Sequence, residues 1–261
     1  MVINHDIKIN KINLNNKKER DSFSLQLQNI EKEFSYPIGE DFFYIKHGLK
    51  NNSLDYFSFF EQLGEPYVYS IEFDGVPFGC ICFVLRYIDN KKVWYICDFK
   101  TTRKHKSKKI SPLIFLSLYE ELSKITKAFY FINMSPMRKN PLLRLVKYIF
   151  KSTTLDARDL FIYKYKVNEL PSTLYDESIW AHNHGKKDIV INDKAVPLYH
   201  AINNIDSRCQ SIQFSDKSDI PKESILMFCS FDEITNLSYT SKAVFVYSNM
   251  SVINNFTTFE I

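Results

Sequence analysis

The sequence has 261 residues, of which 45% are apolar and 15% aromatic, and its formal net charge is +4. This apolar content is sufficient for a large packed core and excludes an intrinsically disordered chain. A net charge this small does not by itself indicate a nucleic-acid partner. No segment approaches 18 uninterrupted apolar residues and the N-terminus has no apolar signal-peptide core, so we expect a cytoplasmic protein without a membrane span.

The first part of the chain reads as one strand, two helices and a meander of strands. Residue periodicity predicts these elements over 7–14, 17–34, 53–63, 67–73, 78–87 and 93–100. Asp74-Gly75 and Asp89-Asn90 are turn signals between the last three strands, because such pairs tolerate a positive φ. Three antiparallel strands are therefore predicted to lead into the middle of the chain.

A basic turn follows the third strand of the meander. Five Lys or Arg residues lie between Arg103 and Lys109, and a helix is predicted over 112–125 with Ser111 as its N-cap and Pro112 as its first residue. The free amides and dipole of such a helix, together with the basic side chains, would hold a phosphate or pyrophosphate group. A solvated loop, a nucleic-acid patch or an address signal would also explain the run.

The remaining elements of this part are a strand AFYFINM, a helix over 140–150 and a strand LFIYKYKV. The resulting order, β-α-α-β-β-β-α-β-α-β over about residues 1–168, resembles the GCN5-related N-acetyltransferase (GNAT) superfamily. The resemblance depends on the basic turn and on the AFYFIN strand. It implies an α+β fold with a mixed, mostly antiparallel central sheet of the acyl-CoA N-acyltransferase type, flanked by helices.

The resemblance also implies a cofactor site. In the family, a loop of pattern Arg/Gln-x-x-Gly-x-Gly/Ala holds the pyrophosphate of acyl-coenzyme A, and here Lys106 takes the arginine place, Lys109 the first glycine place and Ser111 the last. The predicted pyrophosphate-binding residues are thus Lys106, Ser107, Lys108, Lys109, Ile110 and Ser111. The edge of the strand at Phe99, Lys100 and Thr101 would pair with the pantetheine amides.

A second correspondence lies in NPLLRLVKYIF from Asn140, where many family members read N-x-x-A-x-x-x-Tyr-x-x-x-Gly-Phe. The tyrosine that donates a proton to the departing thiolate would fall at about Val146, so the acid is either missing or displaced to Tyr148. Asn133 would lie where the fourth and fifth strands splay to admit pantetheine. Asn140 is either a ligand or simply a helix cap.

Aminolysis of a thioester is helped by a general base near the carbonyl. Cys97 occupies the place where the family often has a glutamate, and Asp98 is its neighbour. Strand alternation would let only one of the two side chains face the cleft. We predict Asp98 as the base; the alternative is that it caps or pairs with the basic turn. Cys97 as a nucleophile is the weaker hypothesis, because the sequence supplies no positioned His–Asp pair.

The cysteines and histidines of the chain predict no metal site. Each cysteine lies in an apolar stretch, as reduced core thiols do. His182 and His184 are spaced as two strand-borne ligands could be, but no third ligand accompanies them. The cysteines are Cys80, Cys82, Cys97, Cys209 and Cys229.

Residues 169–261 lie outside the resemblance and begin at a boundary near Pro171. Strands are predicted over 188–191, 225–231 and 243–247, and helices over 198–205 and 232–237. This pattern predicts a small C-terminal α/β region packed on a GNAT-like acyltransferase domain of residues 1–168. It could build part of the acceptor pocket or be a degenerate second half.

The sequence therefore predicts an acyl-CoA-dependent N-acyltransferase, with acetyl-CoA or another acyl-CoA as co-substrate and an amine of unknown identity as acceptor. The reaction would be a direct attack of the amine on the thioester. Two alternatives stay open. The fold could serve as a non-catalytic module that binds nucleic acid or an anionic surface through the basic turn 103–109, or as a pseudoenzyme that binds coenzyme A.

Overall fold

The computed structural model describes residues 2–4, 7–38, 41–47, 49–50, 53–104, 111–134, 155–171, 179–183, 187–202, 210–213, 219–251, 253 and 258. Its helices are α1 (Lys17–Glu31), α2 (Ser58–Leu63) and α3 (Ser111–Leu122). Its strands are β1 (Val2–Asn4), β2 (Ile7–Lys11), β3 (Tyr36–Ile38), β4 (Asp41–His47), β5 (Leu49–Lys50), β6 (Ser53–Leu54), β7 (Glu65–Phe73), β8 (Val76–Ile88), β9 (Lys91–Thr101), β10 (Phe129–Asn133), β11 (Leu155–Lys166), β12 (Trp180–Asn183), β13 (Lys187–Ile191), β14 (Lys194–Val196), β15 (Leu198–Ile202), β16 (Gln210–Gln213), β17 (Ile225–Ser230) and β18 (Ser241–Ser248). None of these described helices combines the length and hydropathy that a bilayer span requires.

Most of these strands belong to one large twisted sheet. Within the described residues its order is β1-β2-β7-β8-β9-β10-β18-β11-β17-β15-β12-β16. The pairs β9/β10 and β15/β17 are parallel, and the other neighbours are antiparallel. A smaller sheet has the order β14-β13-β4-β3, and β5 pairs with β6. The predicted α+β class with a mixed, mostly antiparallel central sheet is confirmed.

The hairpins of the meander form at the two turns that the turn residues predict. Asp74 and Gly75 have φ values of 50° and 77°, and Asp89 and Asn90 have 49° and 61°. Two successive left-handed residues match the right-handed twist of the flanking strands. β7, β8 and β9 therefore pair in sequence, as predicted.

The two faces of the large sheet carry different layers. On one face, α3 packs Ile114 and Leu118 against Phe83 of β8. On the other, which we call the α1 face, α1 packs Phe23 and Leu27 beside α2. Farther along this second face, the small sheet packs on β11, β17 and β15 through a third apolar cluster. Leu25, between these two residues on α1, points away from this face and is 58% exposed.

Three predicted helices need correction. The second helix starts at Ser58 and not at residue 53, because the Asp55 carboxylate accepts hydrogen bonds from the N–H groups of Phe57 and Ser58 and so sets the first turn. Residues 198–202 form β15, since pairing with β12 and β17 outweighs their weak helical pattern. Residues 232–237 form turns, with Asn236 at φ 67°. The helix predicted over 140–150 lies outside the described residues.

Strand β18 connects the two parts of the chain. It lies between β10 and β11 and pairs with both, although it comes from residues 241–248. The sheet of the N-terminal part is thus completed by a strand from the C-terminal part. A division into two folding units near residue 168 stays a prediction.

Candidate functional site

The parallel strands β9 and β10 are paired at one end and separate at the other. Register pairs join Phe129 to Trp94 and Tyr130 to Tyr95, after which β9 continues to Thr101 and β10 to Asn133 without further pairing between them. β10 keeps its other neighbour, β18, over its whole length. Within the described residues, the backbone edge of β9 after Tyr95 therefore faces a gap and not a strand.

A cavity of about 490 Å³ lies at this gap, within the range of small-molecule and cofactor sites. Ile96, Phe99, Phe115 and Phe131 line it and belong to the core on the α3 face. Residues from the core on the α1 face line it too, and they include Phe34, Tyr95, Cys97 and Ile132. The gap thus connects the two faces of the sheet.

The first turns of α3 lie beside this gap. Phe115 of α3 packs edge-on against Phe99 of β9, with ring centroids 5.2 Å apart. Ser111 is the first residue of α3. The helix N-terminus predicted to bind pyrophosphate therefore begins one turn before a residue that lines the cavity.

Much of the basic turn lies outside the described residues, including Lys106 to Ile110. Arg103, at its start, is engaged elsewhere, because its backbone N–H donates to the Glu33 carboxylate at 2.8 Å and its guanidinium donates to the Glu33 carbonyl at 2.7 Å. The turn is thereby attached to the end of α1. These contacts direct the Arg103 guanidinium toward the end of α1.

A cluster of charged and polar side chains lies on the α1 face of the gap. The Lys100 ammonium is 2.6 Å from Asp98 Oδ1 and also contacts the Glu31 carboxylate. The Tyr56 hydroxyl donates to Asp98 Oδ2 at 2.5 Å, and Lys100 donates to the same hydroxyl at 3.2 Å. The His47 ring stacks on Tyr56 with centroids 3.8 Å apart. Asp98 and Lys100 line the cavity, so the cluster ends at its wall.

A β-bulge in β9 makes this arrangement possible. The register passes from Cys82 opposite Cys97 to Cys80 opposite Lys100, so β9 has one extra residue there. Asp98 adopts a φ of 41°, a left-handed value that Asp tolerates better than most residues. The expectation that only one of Cys97 and Asp98 could face the cleft is wrong, because the bulge interrupts strand alternation and both line the cavity.

The bulge also explains a glycine on the neighbouring strand. A Cβ at Gly79 would lie 2.5 Å from the Lys100 carbonyl oxygen and 3.0 Å from Thr101 Cγ2. The first contact is with backbone and cannot be relieved by a rotamer change. Gly79 therefore allows β8 to approach the end of β9 where the gap opens.

Charge compensation determines the protonation of the cluster. Burial raises the pKa of Asp98, but the Lys100 ammonium, His47 and the hydrogen bonds from Lys100 and Tyr56 outweigh it, so the pKa lies below its ordinary value. Burial lowers the pKa of Lys100, whereas Asp98 and Glu31 raise it well above its ordinary value. Burial and the same two carboxylates raise the pKa of Tyr56. At neutral pH, Asp98 is a carboxylate and Lys100 an ammonium.

The cysteines near the gap are thiols. Burial raises the pKa of Cys97, and it raises the pKa of Cys80 and Cys82 well above the ordinary value. Cys97 Sγ donates to the Cys82 carbonyl at 3.4 Å. A buried, protonated sulfur is a poor nucleophile. This favours the prediction of a core thiol at Cys97.

The other residues predicted for the site are placed as follows. Phe99 and Asn133 line the cavity from the ends of β9 and β10, and Thr101 pairs with Gly79 away from it. Only the backbone of Ser111 is described, as the start of α3. Lys106, Ser107, Lys108, Lys109, Ile110, Asn140 and Tyr148 lie outside the described residues, and their roles stay predictions.

Sequence reasoning missed three members of the cluster, Glu31, His47 and Tyr56. A signal for Glu31 existed, because its spacing of four from Leu27 places it on the buried face of α1, and it is fully buried. Lys100 was predicted only as strand backbone. Strand alternation would place the side chains of Lys100 and Asp98, two residues apart, on one face of β9. In the structure the bulge, and not regular alternation, brings these two side chains together. No pattern in the sequence pointed to Tyr56.

Comparison with known proteins identifies similar folds. No family model matches the chain, and no curated protein matches it. Among solved structures, a tandem GNAT protein from the clavulanic acid biosynthesis pathway matches at a TM-score of 0.49 and 6% identity, over 95% of this chain and 100% of that one.

Two further solved structures are also similar to this chain. One, from Salmonella typhimurium, modifies the N-terminal serine of 50S ribosomal subunit protein L7/L12 and matches at a TM-score of 0.37 and 11% identity, over 59% of this chain and 84% of that one. The other is Arabidopsis thaliana Naa50 in complex with the bisubstrate analogue CoA-Ac-MVNAL, at a TM-score of 0.37 and 12% identity, over 63% and 90%. Similarity of this size says nothing about substrate, so the activity has to be inferred from the residues of this chain.

Proposed function

We propose that this protein is an acyl-CoA-dependent N-acyltransferase. The observation that carries the proposal is the gap between β9 and β10, which opens beside the start of α3 and leaves the backbone edge of β9 without a strand partner there. Unpaired strand amides and carbonyls need hydrogen-bond partners. The pantetheine arm offers amides of this kind, and an extended ligand can occupy the place of the missing strand.

The parts of acyl-CoA would then be divided between the two faces. Pyrophosphate would bind at the N-terminus of α3 with Lys106 and Lys109, where free amides and the helix dipole favour an anion. Pantetheine would pass through the gap along Phe99 and Lys100. The thioester would lie on the α1 face, near Asp98.

The reaction is aminolysis. The nitrogen lone pair of the acceptor attacks the thioester carbonyl and forms a C–N bond, and the C–S bond then breaks with its electron pair on sulfur. The nitrogen loses one proton and the thiolate gains one, which yields an amide and coenzyme A. Asp98 is ionised and can accept the nitrogen proton, since the nitrogen becomes strongly acidic once it bonds to the carbonyl carbon. Tyr148 is the proposed acid for sulfur.

Calorimetric titration with acetyl-CoA at physiological salt tests the binding step. We expect one site per chain, and loss of binding in Lys106→Glu/Lys109→Glu. The matched control is Lys124→Glu/Lys127→Glu, which makes the same charge change at exposed lysines just after the other end of α3 and should bind normally.

Two other outcomes would replace the proposal. If neither acetyl-CoA nor coenzyme A binds a folded protein, the enzyme hypothesis is wrong. Nucleic-acid binding that weakens steeply with salt would then support the anionic-surface module. Binding of acetyl-CoA without amide formation across a panel of amines would support a pseudoenzyme that binds coenzyme A.

The role of Asp98 is tested by turnover. In Asp98→Asn we expect kcat to fall by about 10²–10⁴-fold, the usual contribution of a general base, while acetyl-CoA still binds. Release of free thiol measures the rate, and a cooperative thermal transition checks folding. An unchanged kcat would remove Asp98 from the chemistry.

A further inference from the structure

The cavity extends well beyond the gap between β9 and β10. It continues into the third apolar cluster, between the large sheet and the small sheet. We call this extension the apolar arm. Its apolar lining residues are Phe43, Ile45, Ile189, Leu198, Ile225 and Met227, and Lys164 lines it too.

The apolar arm is long. In the large sheet the order from the gap is β10, β18, β11, β17 and β15, and Leu198 of β15 lines the far part of the cavity. Neighbouring strands lie about 4.8 Å apart, so β10 and β15 are separated by roughly 19 Å. An acetyl group at the gap would leave nearly all of this length unused.

The chemistry of the arm suits hydrocarbon. The ionisable residues Asp98 and Lys100, and the Tyr36 phenol, line the cavity near the gap. In the arm itself Lys164 is the one Lys, Arg, Asp or Glu among the described lining residues, and its ammonium lies 4.9 Å from the centre of the Phe43 ring. The Tyr36 ring also borders the arm, with its centroid 5.4 Å from that of Phe43. A polar group moved into such surroundings loses its hydration, whereas a methylene gains by leaving water.

We propose that the apolar arm binds the hydrocarbon chain of a medium- or long-chain acyl thioester. The inference rests on the proposed acyltransferase function, because it requires the thioester at the gap. A chain attached to that carbonyl would continue along the α1 face into the arm. The acceptor amine would approach where the polar groups are, beside Asp98. An acceptor with a large apolar body is the alternative occupant, and the test below separates the two.

Calorimetry with acyl-CoA of increasing chain length tests the proposal on the unmodified protein. Each fully buried methylene should tighten binding by about fourfold. Even if only half of the additional methylenes are buried, octanoyl-CoA should bind about sixtyfold more tightly than acetyl-CoA. Equal affinities for the two thioesters would overturn the chain site and leave the acyltransferase proposal intact. No binding of either would overturn both.

A variant that narrows the arm provides the second readout. Ile45 is part-buried and lines the arm, so Ile45→Phe should weaken octanoyl-CoA binding about fifteenfold, as if roughly two methylenes were displaced, and leave acetyl-CoA binding within about twofold. Ile191→Phe is the matched control, since Ile191 is part-buried in the same cluster but does not line the cavity. If Ile45→Phe binds octanoyl-CoA as well as the control does, the arm does not hold the chain.

Discussion

Replacement of Lys100 by methionine tests the electrostatics of the cluster beside the gap. The Lys100 ammonium separates the carboxylates of Asp98 and Glu31, whose side chains are 14% and 0% exposed. Water can screen them little, so removal of the cation leaves two buried negative charges. Breaking a buried pair typically costs about 3–5 kcal/mol. At about 2–4 °C per kcal/mol for a chain near this size, we expect Tm to fall by roughly 10 °C.

The pH dependence of this variant should have the opposite sign to that of the natural protein. The folded pKa of Asp98 is lowered, so its contribution to stability is present above the unfolded value of about 3.9 and is lost as pH falls through the folded pKa. In Lys100→Met the ammonium no longer offsets the effect of burial on the neighbouring carboxyl groups, so the folded pKa of a carboxyl rises above its unfolded value. The variant should therefore gain stability relative to the natural protein as pH falls from 8 to 5.

Urea unfolding at several pH values measures this difference. Lys166→Met is the control, because the Lys166–Glu169 pair is exposed, with side chains 40% and 58% accessible, and should cost less than about 1 kcal/mol. The double variant Lys100→Met/Asp98→Asn should recover part of the loss, since one of the two charges is gone. A Tm for Lys100→Met within about 2 °C of the natural protein would refute the reasoning, as would an unchanged pH profile.

Two further predictions concern the strands at the gap. Burial raises the pKa of Cys97, so iodoacetamide at pH 8 should leave Cys97 unmodified in the native protein and alkylate the part-exposed Cys229. Peptide mass spectrometry detects both outcomes. Rapid alkylation of Cys97 would contradict its burial. Gly79→Ala should lower Tm by several degrees, because the alanine Cβ would clash with the Lys100 carbonyl oxygen and overpacking costs about 1–3 kcal/mol. An unchanged Tm would show that β8 and β9 can separate freely.

The elements that sequence predicted well are those determined by local chemistry. Asp74-Gly75 specifies its hairpin because two adjacent residues supply the required positive φ values. The splay of β9 and β10 was expected from the resemblance, and their pairing does stop after Tyr95 and Tyr130. The short apolar run at Leu198 was misassigned, since an apolar stretch of five residues fits a strand and a helix turn equally well until its neighbours are known.

The polar cluster could not be predicted because it is not local. Glu31 and Lys100 are 69 residues apart, and Tyr56 lies 42 residues before Asp98. A single extra residue in β9 changes which side chains meet, yet it leaves no pattern in the sequence that differs from ordinary alternation. The apolar arm has the same origin, because its walls come from strands of both parts of the chain.

The position of β18 makes a prediction about the two parts of the chain. β18 pairs with β10 over five residue pairs and with β11 over eight. A fragment of residues 1–168 would lose both ladders and expose Leu160 and Ile162, which pack in the third apolar cluster. We therefore expect that this fragment alone shows no cooperative thermal transition by circular dichroism, and that co-expression with residues 169–261 restores one. A fragment 1–168 that melts cooperatively on its own would instead support an independent domain, because only a complete core unfolds in that way.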